Sequence, residues 1–534
     1  RLPQPLRSML RTASVEGEVF TAEVVAGVQK TTGDQILGEL SRNLDKRHHL
    51  IQTQSVLRVK HQLLSRYRFR NILIQKYLYN SLDEVERVHL HQRVGDTLED
   101  LFLVNGQIAA DTGIAPQLAR HFQESWNFEK AIHYLHLSGN MAVQLSAYRE
   151  ARTHFYRAME LLKSLPENPE RDELELALQT ANMIAWKGYP GTEWENSCNR
   201  ALELSRKMGK IQPRCLVLSD LAIIYYVRAQ YQRAMQYIEE AVQVAQQAED
   251  QLLLILGYWI SGVLHFGMGE YSRAKFFLEN VFNFYVPEEH HQVSVQLLGV
   301  DGCLSGMAYL ACNLWCLGYP EQAQELSNKT LELAHELNHP FTLADVLSHA
   351  GCLFYEMLGD ASTVEKYAAE LERLSQRKVL AWTGAGTRHL GAALSQLGQI
   401  EKGIVLMQEG MEVCRSLDIF CNFPGTLRFL AEARVINGQA EQALNTIDEA
   451  LKIVEETDEH NWESELHRMR ADILLSKGDE TGAEASLLES IQVAQRQNAK
   501  SWELRACIDL ARLWQTQGKA KEAARMLGEI YSWF

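Results

Sequence analysis

The segment from His335 to His339 has the residue types and spacing of a zinc-dependent hydrolase. It reads H-E-L-N-H, and in such enzymes two histidines one helical turn apart hold zinc while the glutamate activates water. His349 or Glu356 would supply a third ligand. Pro340 follows directly, and the residue before a proline disfavours helix. We therefore expect His339 at a helix terminus, and no metal site there.

Two further pairs have the spacing of metal ligands, Cys312 with Cys316 and His133 with His136. Each pair lies on one face of a helix, and the alternative to a metal site is apolar packing. Cys312 adjoins the small residue Ala311, which favours packing. The sequence contains no phosphate-binding G-x-x-x-x-G-K-[S/T] loop and no triad or paired carboxylates with catalytic spacing. It therefore predicts that this chain is not an enzyme and has no catalytic residue.

Titratable side chains recur ten residues before successive small turn residues and predict an anion-binding groove. They are His349, Arg388, Arg428 and Arg468. Arginine suits forked recognition of carboxylate or phosphate. The alternative is local pairing, because Glu432 and Asp472 follow Arg428 and Arg468 by four residues. Arg388 has no acidic residue at that spacing.

Aromatic residues lie at or near groove-facing positions in the earlier part of the chain. The candidate apolar groove residues are Tyr226, Trp259, Phe266 and Trp315. An apolar groove that leads into a basic one suits a protein, an amphipathic peptide or a small anionic ligand. The alternative is that these side chains fill the core of a tightly wound superhelix.

A repeat of about 40 residues supplies the elements that would position these side chains. Its turn residues are Ala229, Gly269, Gly318, Gly359, Gly398, Gly438, Gly478 and Gly518. Small or short side chains lie seven residues before each of them, which is typical of helical hairpins that cross closely. The sequence thus predicts an all-α, right-handed superhelix of such hairpins. One step of 49 residues contains residues 287–291, which we interpret as an inserted loop.

Composition agrees with a folded protein in the cytoplasm. The 534 residues are too many for one compact core, but stacked repeats bury a continuous core of any length. Nine cysteines without a C-x-x-C motif indicate reduced thiols. The uncharged stretches 251–269 and 302–320 approach the length of a membrane span. Each ends on or just past a turn residue, so we assign both to buried helices and predict no membrane contact.

The first 80 residues differ from the rest in charge and pattern. They hold 13 Lys and Arg against 6 Asp and Glu, whereas the chain as a whole has a net charge of −15. Three apolar-periodic helices, beginning near Leu6, Thr21 and Asp34, precede three β-favouring segments, residues 49–53, 56–59 and 67–70. This order predicts a small winged-helix domain. We place domain boundaries at 1–95, 96–170 (irregular helical repeats) and 171–534 (about nine regular repeats).

A winged helix suggests DNA binding as a second hypothesis. Five basic side chains of the predicted wing would contact phosphate, namely Arg58, Lys60, Arg66, Arg68 and Arg70. The alternative is a domain that docks on protein. The third helix favours this alternative, because it carries Glu39 and Asp45 and only Asn43 as a base-reading candidate. A stand-alone scaffold for protein complexes is a third hypothesis.

Several motifs resemble one family. They are residues 2–7, 13–17, 67–70 (Tyr-Arg-Phe-Arg), 75–79, 90–91, 118–122, 338–341, 503–506 and 531–534. These segments resemble bacterial STAND signalling ATPases, in which an AAA/NB-ARC-like core precedes a winged helix and a tetratricopeptide-like tail. Many members carry a nucleotide cyclase or a transcription-activator domain.

The resemblance implies a regulatory role. By it, the superhelix senses a ligand or partner and controls an upstream nucleotide-binding domain, which would bind ATP and Mg²⁺ and contact this chain. Because the chain lacks the phosphate-binding loop, we expect that domain to lie outside it. Relatives tend to have a histidine after Tyr-Arg-Phe-Arg, at a position linked to nucleotide sensing. Here that position is Asn71, which cannot carry a charge.

Overall fold

The computed structural model describes residues 2–59, 62–104, 107–108, 113–145, 147–186, 191–284, 286–378 and 382–534. The chain divides after Ala185 into two compact units. The predicted helical class is confirmed, since helices make up most of both units. Among the described residues, strands occur only in short stretches of the first unit.

The first unit begins with a small sheet packed on three helices. In chain order its elements are α1 (Gln4–Glu16), β1 (Val19–Thr21), α2 (Ala22–Gln29), α3 (Gly33–Glu39), β2 (Ile51–Val59) and β3 (Gln62–Phe69). The antiparallel strand order is β1-β3-β2. A π-helical segment, Leu40–Arg47, continues α3, and its Leu44 is buried in one core with Leu10 and Phe20. The strands predicted over 49–53 and 56–59 are one strand, in which the register with β3 shifts between Thr53 and Ser55.

A helical region completes the first unit. It comprises α4 (Ile72–Asn80), α5 (Glu84–Phe102), β4 (Leu103–Val104), β5 (Gln107–Ile108), α6 (Ala115–Glu124), α7 (Phe128–Gln144), α8 (Tyr148–Leu162) and α9 (Pro169–Trp186). Leu178 and Ala185 of α9 are buried in the same core as Phe155 of α8. The predicted boundary at residue 171 therefore lies within α9.

The second unit is a tetratricopeptide-like array of helical hairpins. After α10 (Thr192–Met208), hairpins 1 to 3 are α11 (Ile211–Val227) with α12 (Tyr231–Ala248), α13 (Gln251–Gly267) with α14 (Tyr271–Phe284), and α16 (Gly302–Cys316) with α17 (Pro320–Leu337). The segment between hairpins 2 and 3 contains α15 (Pro287–Leu298). The interpretation of residues 287–291 as a loop is wrong, because they begin this helix.

Hairpins 4 to 8 continue the array. The first helix of hairpin 4 consists of α18 (Pro340–Val346), a π-helical segment (Leu347–Leu353) and α19 (Phe354–Leu358), and its second helix is α20 (Ala361–Lys378). The other four are α21 (Thr383–Gln396) with α22 (Ile400–Ser416), α23 (Phe423–Ile436) with α24 (Ala440–Thr457), α25 (Glu463–Ser476) with α26 (Glu480–Arg496), and α27 (Lys500–Thr516) with α28 (Ala520–Tyr531).

The eight predicted turn residues join the two helices of each hairpin. All eight have positive φ, from 55° at Ala229 to 92° at Gly398, and seven of them are glycine. Glycine adopts this left-handed backbone without the steric cost that a Cβ atom imposes. The helices cross closely in hairpin 5, where a Cβ on Gly391 would lie 2.8 Å from the carbonyl oxygen of Gly403. The small residues of the repeat are thus explained by the turn and by the crossing.

Hydrogen bonds between distant hairpins wind the second unit tightly. Residues at the carboxyl ends of α11, α13 and α16 accept hydrogen bonds through their carbonyl oxygens from the starts of hairpins 6, 7 and 8. The pairs are Val227 with the amide of Cys421 (3.1 Å), Gly267 with the amide of Asn461 (3.0 Å) and Trp315 with the hydroxyl of Ser501 (2.5 Å). The array therefore returns on itself after five hairpins. We call these three pairs the inter-turn contacts.

The two uncharged stretches of the sequence lie in buried helices. They correspond to α13 and α16, and every residue of α16 is buried. No helix in the described part of the chain combines the length and the apolarity that crossing a membrane requires.

Candidate functional site

The inner surface of the second unit encloses a chamber of about 180 Å³. The first helices of hairpins 1 to 6 contribute most of its wall, as predicted for the groove. An engineered apolar cavity of about 150 Å³ holds benzene, so this chamber has room for a larger organic body. Because the inter-turn contacts bring hairpin 6 back to hairpin 1, the predicted groove is closed into a chamber.

Eight aromatic side chains line the chamber. They are Trp194, Tyr226, Trp259, Tyr309, Phe341, Trp382, Phe429 and Trp462. Two of them, Tyr226 and Trp259, belong to the predicted apolar set. Rings with one polar edge give an apolar ligand a large contact area and leave a few hydrogen-bonding groups to orient it.

A chain of polar groups crosses this aromatic wall. The hydroxyl groups of Tyr226 and Tyr309 lie 2.9 Å apart, and Tyr309 Oη lies 2.8 Å from Nε2 of His349. Nδ1 of His349 lies 2.9 Å from the carbonyl oxygen of Asp345 and 3.3 Å from its Oδ1. Burial raises the pKa of both tyrosines well above the usual value, so they stay neutral hydrogen-bonding groups.

Hairpin 4 supplies a second acidic group beside a histidine. Glu356 Oε1 lies 2.7 Å from Nδ1 of His389, and both side chains are nearly buried. Asp345, His349 and Glu356 share one helix face, and the π-helical segment Leu347–Leu353 lies between the two acids. A π-helical turn changes the direction in which following side chains point, and such turns are frequent at functional sites.

Arg388 is the buried cation of the chamber. Its side chain is only 5% exposed, and Nη1 donates to Oγ1 of Thr426 (2.7 Å) and to the carbonyl oxygen of Asn422 (3.2 Å). Its guanidinium lies 5.7 Å from the ring centre of Phe423. Among the described residues, no carboxylate pairs with Arg388 within 4 Å. Its nitrogen atom Nε is buried and has no hydrogen-bond partner in the structure.

Several chamber residues share this lack of a partner. The buried atoms without a hydrogen bond include Nε1 of Trp259, Oγ of Ser305, Oδ2 of Asp345 and Nε1 of Trp382. A buried polar atom without a partner costs about 1–3 kcal/mol, so most such atoms in folded proteins are satisfied. A molecule held in the chamber would complete these hydrogen bonds.

The structure separates the four residues predicted to form the anion-binding groove into two pairs. His349 and Arg388 line the chamber, whereas Arg428 and Arg468 do not. Arg428 Nη1 lies 2.9 Å from Glu432, and Arg468 lies 3.1 Å from Asp472, which are the local pairs weighed above. In addition, Arg468 donates to the buried Glu465 at 2.8 Å. These two arginines are therefore part of a structural ion-pair cluster.

Two of the predicted apolar residues lie elsewhere. Phe266 is buried between Tyr271 and Tyr309, and Trp315 packs edge-on against Trp502 with ring centres 4.5 Å apart. Neither lines the chamber. Trp315 instead belongs to an inter-turn contact, because one turn of the superhelix places hairpin 8 beside hairpin 3. Core filling, the alternative stated above, describes both residues.

The histidine and cysteine pairs do not form a metal centre among the described residues. His335 points to Glu370 at 3.7 Å, whereas His339 caps α18, as predicted from Pro340. His133 and His136 pack edge-on or tilted against Tyr134 and Phe155 respectively. The thiols of Cys312 and Cys316 are buried, and burial raises the pKa of Cys316 to about 12.

The basic side chains of the first unit are partly neutralised. Arg68 pairs with Glu18 at 2.5 Å and Arg70 with Asp45 at 2.9 Å, while Lys60 lies outside the described residues. Asn71, the position linked to nucleotide sensing, caps α4 and accepts a hydrogen bond from the amide of Leu73 at 2.8 Å. The paired arginines weaken the case for phosphate contacts by this sheet.

Comparison with known proteins relates the chain to helical-repeat proteins. The tetratricopeptide-repeat family matches residues 215–249, which span α11 and α12 of hairpin 1. The chain is similar to tetratricopeptide-repeat proteins. An uncharacterized protein of Rhizobium meliloti (strain 1021) is 24% identical over 523 residues, which are 94% of this chain and 49% of that protein. The chain thus spans about half the length of this curated relative.

Solved structures of helical-repeat proteins also match. A STAND protein with a tetratricopeptide-repeat sensor from Pyrococcus horikoshii is 13% identical, with a TM-score of 0.36, over 95% of this chain and 65% of that one. The Cut9–Hcn1 assembly of the APC/C is 13% identical, with a TM-score of 0.47, over 86% and 89%. A Rap protein complexed with competence and sporulation factor is 13% identical, with a TM-score of 0.44, over 74% and 99%.

Proposed function

We propose that this chain is the sensor region of a STAND-type signalling ATPase and that the chamber is where it senses a small ligand. The observation that carries the proposal is the chamber, which aromatic rings line and whose buried polar atoms lack partners. Such a site suits a small molecule better than the partner helix considered for an open groove, because its volume of about 180 Å³ fits a small organic body. The protein would work in the cytoplasm.

Ligand binding would act by holding the superhelix closed. The chamber wall joins residues from hairpin 1, such as Tyr226, to residues of hairpin 6, such as Phe429. A molecule that contacts both stabilises the wound form over any form in which the inter-turn contacts are open, and this differential affinity is what a switch requires. By resemblance, residues 1–95 form a winged helix that would pass this change to the nucleotide-binding domain, where ATP and Mg²⁺ would bind.

A chamber-filling substitution tests the sensing site. Ala385 lines the chamber, so Ala385→Phe should exclude the ligand, whereas Ala485→Phe on the exposed face of α26 should not. The proteins would be purified from the native host, denatured and analysed for released small molecules by mass spectrometry. We expect a released molecule from the wild type and from the Ala485 variant, and none from the Ala385 variant. Equal amounts from all three would contradict the proposal.

The regulatory role needs the complete gene product. We expect a phosphate-binding loop in it and an ATP turnover that responds to the released molecule in the wild type, but not in the Ala385→Phe variant. A full-length protein without such a loop would contradict the STAND assignment while leaving the chamber as a binding site.

A further inference from the structure

The charged side chains of the chamber indicate what kind of molecule binds there. Removing a cation from water costs several kcal/mol unless an anion compensates it. Arg388 is such a buried cation, and its two hydrogen bonds go to neutral oxygens of Asn422 and Thr426. The acids of the chamber, Asp345 and Glu356, each face a histidine instead.

One further acid near Arg388 is Glu459. It is fully buried, and its Oε1 accepts the backbone amide of Asn422 at 2.7 Å. Burial raises the pKa of Glu459, and this carboxyl forms no ion pair with Arg388 within 4 Å. Since no other carboxylate of the described residues forms such a pair with Arg388, an anion held in the chamber would balance its charge.

Resting on the proposed function, we propose that the chamber binds a small carboxylic acid with an aromatic or bulky apolar body, whose carboxylate pairs with Arg388. One arginine beside two acidic side chains suits a single negative charge better than a phosphate dianion. The aromatic wall holds the apolar body. Oδ2 of Asp345, which has no partner, accepts a hydrogen bond from a donor group on the same ligand.

Three molecules with one body and different head groups test this assignment. Indole-3-acetate, indole-3-ethanol and tryptamine carry an anionic, a neutral and a cationic head on the same ring system. Their Kd values for the full chain, freed of any bound molecule, would be measured by calorimetry. We expect the acid to bind about tenfold or more tighter than the alcohol, and the amine to bind most weakly. Equal binding of all three, or no binding of any, overturns the proposal.

Substitution of the arginine identifies the group responsible. Arg388→Gln should weaken binding of the acid about tenfold and leave binding of the alcohol unchanged. Arg415→Gln is the matched control, since Arg415 lies 5.4 Å from the same Phe423 ring but is 43% exposed and outside the chamber. Arg388→Lys keeps the charge, so it should retain the preference for the acid even if the Gln variant does not fold. Loss of that preference in a folded Lys variant, or its retention in a folded Gln variant, contradicts the assignment.

Two further measurements distinguish failure of the charge assignment from failure of the proposed function, and a free acid from a peptide carboxyl terminus. If Ala385→Phe abolishes binding of all three molecules but the wild type does not prefer the acid, the chamber is the site and only the charge assignment fails. If Ala385→Phe changes no affinity, the proposed function fails as well. A tetrapeptide ending in tryptophan, tested as free acid and as amide, distinguishes a free acid from a peptide carboxyl terminus. If the free-acid peptide binds more tightly than indole-3-acetate, the ligand is a peptide carboxyl terminus. If it binds more weakly, the ligand is a free small acid.

Discussion

Tyr271 donates its phenolic hydrogen to the backbone carbonyl of Asn461 at 2.9 Å, across 190 residues of sequence. The two residues belong to hairpins separated by one full turn of the superhelix, and the carbonyl of Gly267 accepts the amide of the same Asn461. Most contacts in a repeat array join neighbouring repeats. Here, contacts between turns close the chamber, so stability and ligand binding should depend on the same contacts.

Two glycines separate the effect of the turn from that of the inter-turn packing. Gly269 and Gly438 have φ of 71° and 74°, but only at Gly269 would a Cβ approach another hairpin, 2.5 Å from Nε2 of Gln497. That nitrogen donates to the carbonyl of His460. We expect Gly438→Ala to lower the free energy of unfolding by about 1 kcal/mol, and Gly269→Ala to lower it by about 1 kcal/mol more. Urea titration would measure both, and equal losses would show that the inter-turn packing adds nothing.

Glu465 should be essential to the stability of hairpins 6 to 8. It is 1% exposed, and Arg428, Arg468 and Arg505 surround it, which lowers its pKa to about 2 despite burial. Glu465→Gln leaves the three arginines undercompensated, so we expect a loss of about 3–5 kcal/mol in urea unfolding. The control is Glu412→Gln, since Glu412 pairs with Arg415 at the surface, is 75% exposed and should cost less than about 1 kcal/mol.

Glu459 should make the wild type less stable in mild alkali. Because its folded pKa of about 8 exceeds the ordinary carboxyl value of 4.5, stability is fully present below pH 4.5 and is lost as the pH rises through 8. Glu459→Gln keeps an oxygen to accept the amide of Asn422 and cannot ionise. We expect the variant to be more stable than the wild type at pH 8 by on the order of 3 kcal/mol, and the gap to close towards pH 5. A gap independent of pH between 5 and 9 would contradict this.

The first unit should lose stability in acid through a buried histidine pair. Nδ1 of His91 lies 2.9 Å from Nδ1 of His121. Burial together with nearby Arg120 lowers the pKa of His91 to about 4 and holds that of His121 well below its usual value. Because both folded values lie below 6.5, the stability present above pH 6.5 falls as the pH decreases towards 4. For His91 alone the loss is roughly 3 kcal/mol. Histidine NMR titration would show neither ring gaining a proton between pH 8 and 5, and titration near 6.5 would refute the assignment.

The local structure could be predicted from sequence because it depends on short spacings. Ala229 and the seven glycines mark the hairpin turns, since only a small residue fits a left-handed turn beside a close helix crossing. The sequence predicts two strands around Thr53 where the structure has one, because strand pairing depends on the partner strand. It predicts a loop at the start of α15, because residues 287–291 are acidic and histidine-rich and have no apolar periodicity.

The site could be predicted only in part. Trp259, His349 and Arg388 lie ten residues before a turn residue, Tyr226 lies three before one, and all four line the chamber. Arg428 also lies ten residues before a turn residue, but it pairs with Glu432 four residues later and lies near Glu465, which folding brings close. Asp345 and Glu356 share a helix face with His349. Their spacing from His349 therefore predicts that they belong to the same site, although the 40-residue repeat does not mark their positions. No spacing in the sequence predicts Trp194 and Trp462 as chamber residues, because the turn of the superhelix brings them there.

The pairing of hairpins 1, 2 and 3 with 6, 7 and 8 restricts how this chain can evolve. Tandem-repeat proteins commonly lengthen or shorten by the duplication or deletion of one unit. Inserting one hairpin between the fourth and the fifth would move the partner of Val227 from Cys421 to a residue of a different repeat and leave every later loop one position out of register. We therefore expect that one hairpin can be added at the carboxyl end of the array, whereas the number of hairpins between those joined by the inter-turn contacts stays fixed.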